Sequence, residues 1–305
     1  MRIFFTGATG FVGSRLVPFL RQAGHEAVLL VRPSEKTGSV PACDQLVTGN
    51  PMEWGPWWKP VAECGAAVNL AGAPIVGKWT PEKKLAIRES RVRTTRNLVD
   101  AIPNEAKGFP LVSASAVGIY GDAGERELDE TAPLGTDFLA KVARDWEAEA
   151  LRAREKGARV VVTRFGIVLG PGGGALAELA KMTKRFLGGP MGSGRQWFSW
   201  IHLEDLCRAI RFLLERPDLE GVFNLSSPNP VRQIDLARTL GRVLGRPAFT
   251  PAPAFAVKLV LGEFGSTLLA SQRMVPRRLL EAGFEFRYPD LEGALREILA
   301  RRLGG

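Results

Sequence analysis

Thr6-Gly7-Ala8-Thr9-Gly10-Phe11-Val12-Gly13 is the stretch whose residue types and spacing carry the most chemistry. Three glycines so spaced, after the apolar Arg2-Ile3-Phe4-Phe5 and ahead of a helical pattern, form a phosphate cradle. Gly7 permits the tight turn, Gly10 lets backbone amides approach a pyrophosphate, and Gly13 lets helix pack closely on strand. The amino end of that helix offers N–H groups and partial positive charge to phosphate oxygens. The next apolar run ends in Val31-Arg32-Pro33-Ser34, where a free ribose 2′-hydroxyl usually meets Asp or Glu. A carboxylate there would repel a 2′-phosphate, whereas Arg32 pairs with it in a fork. The pattern predicts a dinucleotide cofactor, NADP(H) rather than NAD(H).

These residues need elements to hold them. Phe11, Val12, Leu16, Phe19 and Leu20 recur at helical spacing, Gly24 ends that helix, and Ala27–Val31 reads as a second buried strand. The first 31 residues are therefore a βαβ unit. Apolar runs at Ala66–Leu70, Leu111–Ser115 and Arg159–Phe165 alternate with helical patterns at Pro81–Ile102 and Asp137–Lys156. Strands without period-2 alternation, interleaved with helices, predict an α/β fold, a Rossmann-type doubly wound parallel sheet. After Phe165 come glycine-rich loops at 170–174 and 188–194, helices at Leu203–Glu215 and Gln233–Leu244, and a strand at Val222–Leu225. From Pro251 the tail holds three Pro-punctuated helical segments, the last Leu291–Leu303. The expected division is a cofactor-binding domain over 1–170 with 201–225, and a smaller, mainly helical, substrate-side C-terminal lobe over 171–200 with 226–305.

At 305 residues, 45% hydrophobic and 24% charged, the chain has a globular protein's composition, which excludes disorder. Its apolar runs fall far short of the roughly 20 residues of a membrane helix, so no membrane partner is expected. Met1–Phe5 is interrupted by Gly7 and Gly10 and reads as a strand rather than a leader. Three cysteines without a CxxC indicate neither a disulfide framework nor a zinc site. A cytoplasmic protein, monomer or homodimer, is the expectation. The net charge of +9 includes thirty arginines but no basic run of five or six. That speaks for surface bias or a small anionic ligand rather than nucleic acid.

The spacing Thr-Gly-x-x-Gly-x-x-Gly resembles the extended short-chain dehydrogenase/reductases. Asn69-Leu70-Ala71-Gly72 is similar to that superfamily's strand end beside the adenosine, and Val112-Ser113-Ala114-Ser115-Ala116-Val117-Gly118-Ile119-Tyr120-Gly121 to its Ser-rich strand ending in Tyr-Gly. Arg164-Phe165-Gly166-Ile167-Val168-Leu169-Gly170-Pro171 resembles the segment passing the nicotinamide, and Phe198–Asp205 the Phe-(Val/Ile)-His-Val-x-Asp segment. More narrowly, Ser90-Arg91, Asp145-Trp146-Glu147, Gly192–Trp197 and Arg277–Phe284 resemble the bacterial and organellar "epimerase family" of atypical extended enzymes. The resemblance runs end to end. It implies cofactor contacts at Gly7, Thr9, Gly10, Phe11, Val12, Arg32, Leu70, Ala71, Gly72, Ser113 and Phe165, and it names no substrate.

The superfamily's chemistry rests on Tyr-x-x-x-Lys, where the ammonium lowers the phenol's pKa so that it exchanges a proton as hydride moves. This chain has two tyrosines; Tyr120 is followed four residues on by Gly124, and Tyr288 by Glu292. The matching positions fall on Phe138 and Val142, and the usual Ser/Thr on Ala116. The standard machinery is absent. The catalytic candidates left are Ser115, either a substrate hydrogen-bonder or a strand-end serine satisfied by backbone, and Tyr120, either an acid or a packed aromatic. Lys141 is turned about 100° from the expected lysine position and reads as solvated. His202, ahead of Glu204-Asp205, reads as a structural hydrogen-bonder.

The substrate cleft is expected between the loop Gly72–Trp79 and the segment Gly188–Trp200, gathering Lys78, Arg91, Arg195 and Gln196 with Trp79, Trp197 and Trp200. Guanidinium beside indole suits a planar or phosphorylated ligand, although each tryptophan is also readable as core. Two functions follow. One is an NADP(H)-dependent oxidoreductase or epimerase-like enzyme with a non-standard proton donor, acting on a small anionic or nucleotide-linked substrate. The other is a sensor or regulatory protein that holds NADP(H) without turnover.

Overall fold

The computed structural model describes residues 1–34 and 40–300. Its strands in chain order are β1 (Arg2–Thr6), β2 (Glu26–Val31), β3 (Gln45–Thr48), β4 (Ala66–Asn69), β5 (Pro110–Ala116), β6 (Glu127–Leu128) and β7 (Arg159–Phe165). They continue with β8 (Ile167–Leu169), β9 (Trp197–Phe198), β10 (Trp200–His202), β11 (Gly221–Leu225), β12 (Val231–Arg232) and β13 (Arg273–Met274). The helices are α1 (Gly13–Gln22), α2 (Trp58–Ala62), α3 (Pro81–Ala101), α4 (Phe138–Leu151), α5 (Gly174–Lys184) and α6 (Leu203–Glu215). In the C-terminal part they are α7 (Gln233–Leu244), α8 (Ala254–Leu261), α9 (Glu263–Leu268), α10 (Arg277–Glu281) and α11 (Leu291–Ala300).

Seven strands form one parallel sheet in the order β3-β2-β1-β4-β5-β7-β11. The chain reverses direction across the sheet between β1 and β4, the crevice where such folds bind ligands. Successive residues of β1 serve opposite faces. Ile3 and Phe5 join Leu16, Leu20, Leu213 and Phe223 on the α1/α6 side, while Phe4 joins Trp57, Leu98, Leu111 and Val160 on the other. Both faces being covered is why these strands read as unbroken apolar runs. A third core, with Leu176, Trp200, Leu236, Leu240, Leu295 and Ile298, ties α5, α7 and α11 into the C-terminal region. Among the described residues, no helix is long and apolar enough to cross a membrane.

The predicted βαβ unit, the strands at 66, 111 and 159 and the helices at 81, 203 and 233 are all present within a few residues. Three differences have physical causes. The edge strand β3 is short and alternates half-buried with exposed residues, so it carries no buried-run signature. Helix α5 starts inside the glycine run, where Gly173 and Gly174 press against the Phe11 ring and leave no room for side chains. The tail holds four helices rather than three, because Gly262 at φ +61° breaks the apolar stretch into α8 and α9. Residues 301–303 of the expected last helix lie outside the described residues.

Arg159 shows how a charge can sit at the end of a buried strand. Its guanidinium donates to the carbonyls of Leu213 (3.1 Å), Leu214 (2.8 Å) and Leu219 (2.6 Å), closing the carboxyl end of α6. Arg159→Met keeps the stem and strands those carbonyls, so urea unfolding should show a loss of about 2–3 kcal/mol. A loss below about 0.5 kcal/mol would show that water replaces the cap.

Candidate functional site

The glycine loop has the geometry its spacing implies. Gly7 adopts φ +71°, and a Cβ there would lie 2.6 Å from the Leu70 carbonyl carbon. A Cβ on Gly13 would lie 2.6 Å from Ala8 Cα, so α1 is pressed onto its own entry turn. No side-chain hydrogen bond from the N-cap residue Val12 caps α1. Hydrogen bonds tie the strand ends together: Thr6 Oγ1 donates to Asn69 Oδ1 (2.7 Å), and Asn69 Nδ2 donates to Thr95 Oγ1 (2.7 Å) and Ser113 Oγ (3.1 Å). These bonds bring Leu70, Ala71, Gly72 and Ser113 to the shelf beside the loop. Arg32 closes β2 and is exposed. Phe11 leans on the 170–174 glycines, and Phe165 packs at the same end of the sheet.

Past the carboxyl end of β5 lies a cleft of about 550 Å³. Its walls are the turn at Gly118–Asp122, the start of α4, the Gly192–Gln196 loop, α8–α9 and the segment Leu269–Gln272. Asp137 caps α4 by accepting from Ala140 N (2.8 Å), and this presents Phe138 to the cleft. The Trp79 ring meets Phe138 edge-on at 5.1 Å, and the Lys84 ammonium lies 5.1 Å from the Phe138 ring centroid. Lys84 pairs with Glu263, and Trp79 reaches Phe264 at 6.1 Å, so α9 is fastened over one end. Phe138, which the resemblance sets at the usual tyrosine position, is thus part of an apolar wall. Lys258, on α8, faces the same space.

Trp79 and the Gly192–Gln196 loop, both from segments expected to border a cleft, line it, whereas α8–α9, Asp122 and Lys258 were not expected there. The available signal was one charge inside the apolar octet Ala-Phe-Ala-Val-Lys-Leu-Val-Leu. Of the four residues expected on the substrate side, Gln196 lines the cleft, its amide donating to Met191 O (3.0 Å). Lys78 and Arg195 are exposed and stand outside the lining, and Arg91 lies against Gly72 instead. Trp79 lines the cleft, Trp200 is fully buried, and the Trp197 ring meets the guanidinium groups of Arg232 (3.9 Å) and Arg273 (4.9 Å).

The two catalytic candidates require correction. Ser115 Oγ donates to Glu147 Oε1 (2.6 Å), and Arg164 grips both Glu147 oxygens at 2.8 Å. Arg164 Nη1 also donates to the Tyr120 hydroxyl (2.9 Å), which lies 2.7 Å from Asn224 Oδ1. Burial pushes the Tyr120 phenol above its ordinary value, with Arg164 pulling the other way. Ser115 and Tyr120 are each 2% exposed and neither lines the cleft. Their hydroxyls are engaged in holding β5, α4, β7 and β11 together.

His202 is the N-cap of α6: Nδ1 accepts from Glu204 N (3.1 Å) and Nε2 lies 3.0 Å from Glu297. Burial lowers its pKa against the pull of Glu297. The unfolded chain therefore takes up this proton at higher pH than the folded one, so stability is full above about pH 6.5 and falls on acidification. His202→Asn, which can still cap, should flatten the melting temperature between pH 7.5 and 5.5 relative to wild type. An unchanged slope would assign the titration to another group.

The family model of the NAD dependent epimerase/dehydratase family matches residues 3–226. The chain belongs to this family. A second model, Domain of unknown function (DUF1731), matches residues 252–298 of this epimerase-family chain, the segment carrying α8 to α11. The chain is 45% identical over 305 residues to the Arabidopsis thaliana "Epimerase family protein SDR39U1 homolog, chloroplastic", with 98% of this chain and 87% of the relative covered. It is 37% identical to "Epimerase family protein YfhF" of Bacillus subtilis, with 99% of each covered. Among solved structures it is similar to human epimerase family protein SDR39U1 (isoform 2) with NADPH. The TM-score is 0.85 at 34% identity, covering 98% of this chain and 99% of that one. The seven-stranded Rossmann-type sheet and the helical C-terminal region are those of this epimerase-family fold.

Proposed function

We propose that this chain is an NADP(H)-binding epimerase-family enzyme acting on a small anionic or nucleotide-linked substrate without the standard Tyr-x-x-x-Lys pair. One arrangement carries the reading: the uncapped α1 turn, where only glycine fits at 7 and 13, follows β1, and a cleft of substrate size begins past the end of the parallel β5, so both stand at the carboxyl ends of the strands. The residues fit a dinucleotide. Gly7, Thr9, Gly10, Phe11 and Val12 form the pyrophosphate turn, and Arg32 stands where a 2′-phosphate would lie. Leu70, Ala71, Gly72, Ser113 and Phe165 border the remainder. The bound cofactor supplies hydride chemistry. Lys258 is the cleft cation able to hold a substrate anion or exchange a proton, and Gln196 shapes the adjoining wall.

A second reading, NADP(H) held without turnover, is favoured by Phe138, which has no proton to exchange. Fluorescence titration with NADPH, then NADPH absorbance against carbonyl compounds and sugar nucleotides, separates the two. The expected result is saturable binding plus oxidation with an anionic compound, and Lys258→Met lowers turnover while leaving the NADPH dissociation constant unchanged. Binding without turnover across the panel establishes the second reading, and no binding overturns both.

A further inference from the structure

Arg91 is a half-buried cation with no carboxylate partner among the described residues. It projects from α3 onto the segment that follows β4. A Cβ on Gly72 would lie 2.9 Å from Arg91 Cζ and 3.0 Å from Nη2, so the guanidinium lies against bare glycine backbone. Elsewhere it contacts Trp146, whose ring centroid is 5.3 Å from Cζ. Nη1 donates to the carbonyls of Ile87 (2.9 Å) and Ala73 (3.1 Å). Among the described residues no carboxylate pairs with Arg91, and of its donors only Nη1 meets an acceptor. The residue as a whole is partly exposed, yet its head group is sunk deeply enough for burial to pull its pKa down to about 10.

Arg164 is the internal contrast, since both oxygens of Glu147 neutralise it. A partly buried cation with no carboxylate beside it and two N–H donors still open is disposed to take a charge that arrives from outside. The neighbourhood says which charge. Leu70 and Ala71, the residues before Gly72, lie against the Gly7 turn, and Arg91 is absent from the lining of the substrate cleft. The adjacent Nε–H and Nη2–H donors form a side-on fork that matches two oxygens of one phosphate.

We propose that Arg91, read above as a substrate-side residue, instead grips a pyrophosphate oxyanion of the dinucleotide from the side opposite the glycine loop. The assignment rests on the cofactor reading. Because the pyrophosphate is common to both dinucleotides, Arg91→Met should raise the dissociation constants of NADPH and NADH by the same factor, tenfold or more. Arg32→Glu should act on NADPH selectively. The ligand-free melting temperature of Arg91→Met should hold or rise, because the methionine still covers Trp146, while the NADPH-induced shift shrinks. Arg91→Lys, which keeps the charge and loses the fork, should weaken both dinucleotides threefold or more at an unchanged melting temperature.

Wild-type affinity for NADPH in either variant overturns the assignment. So does unchanged NADPH binding together with lost stabilisation by inorganic pyrophosphate in NADPH-saturated protein, which would give Arg91 to the substrate. A wild-type protein that binds neither dinucleotide instead refutes the cofactor reading.

Discussion

Glu147→Ala is expected to destabilise the protein by about 3–5 kcal/mol, the range for removing one partner of a buried ion pair. Glu147 and Arg164 are 7% and 4% exposed, and the carboxylate is met by Arg164 through two N–H donors and by the Ser115 hydroxyl. Burial works against the Arg164 charge, and Glu147 more than offsets it, so the guanidinium is held charged. Without the carboxylate that charge is left buried, and the Tyr120–Asn224 contact loses its anchor. A domain of ordinary stability has only about 5–15 kcal/mol to lose, so the urea midpoint should fall steeply. Glu147→Ala with Arg164→Met should recover much of the loss, since the penalty comes from the stranded charge. A single-variant loss under about 1 kcal/mol would mean that water enters and solvates Arg164.

The second large effect concerns cofactor choice. Arg32 stands exposed after β2, and the proposed cofactor reading sets it against the ribose. A guanidinium–phosphate fork is worth about 1.5–3 kcal/mol, so wild type should bind NADPH roughly 10- to 100-fold more tightly than NADH. Arg32→Glu puts a carboxylate against the 2′-phosphate and gives a free 2′-hydroxyl an acceptor, so the preference should vanish or invert. Paired titrations of both dinucleotides check this. Equal wild-type affinities would remove Arg32 from the site.

The cofactor end of the molecule was largely legible in the sequence because its determinants are local. A turn at φ +71° needs Gly7, and Gly13 needs to be bare because the turn a few residues before it is pressed against it. The buried strands announced themselves because a parallel sheet covered on both faces demands unbroken apolar runs. The negative was legible as well: with two tyrosines and neither followed four residues on by lysine, the standard proton-transfer pair could not exist. Ser115 and Tyr120 were misread because a hydroxyl at a strand end looks the same in sequence whether it faces a substrate or a carboxylate. What decides is Glu147, 32 residues from Ser115, and Asn224, 104 residues from Tyr120.

By itself, then, the sequence determined a parallel α/β frame, a glycine turn shaped for a pyrophosphate and the loss of the usual acid. Each of these is written within a few consecutive residues by backbone sterics or hydrophobic periodicity. The tertiary structure alone decided which polar side chains are consumed in the core and which face open space. It drew Trp79, Phe138, Gln196 and Lys258 to one cleft, engaged Ser115 and Tyr120 elsewhere and gave Arg91 no carboxylate partner among the described residues. Those outcomes depend on residues far apart in the chain whose meeting leaves no periodicity or spacing, because the desolvation and pairing of a charge are set by neighbours in space.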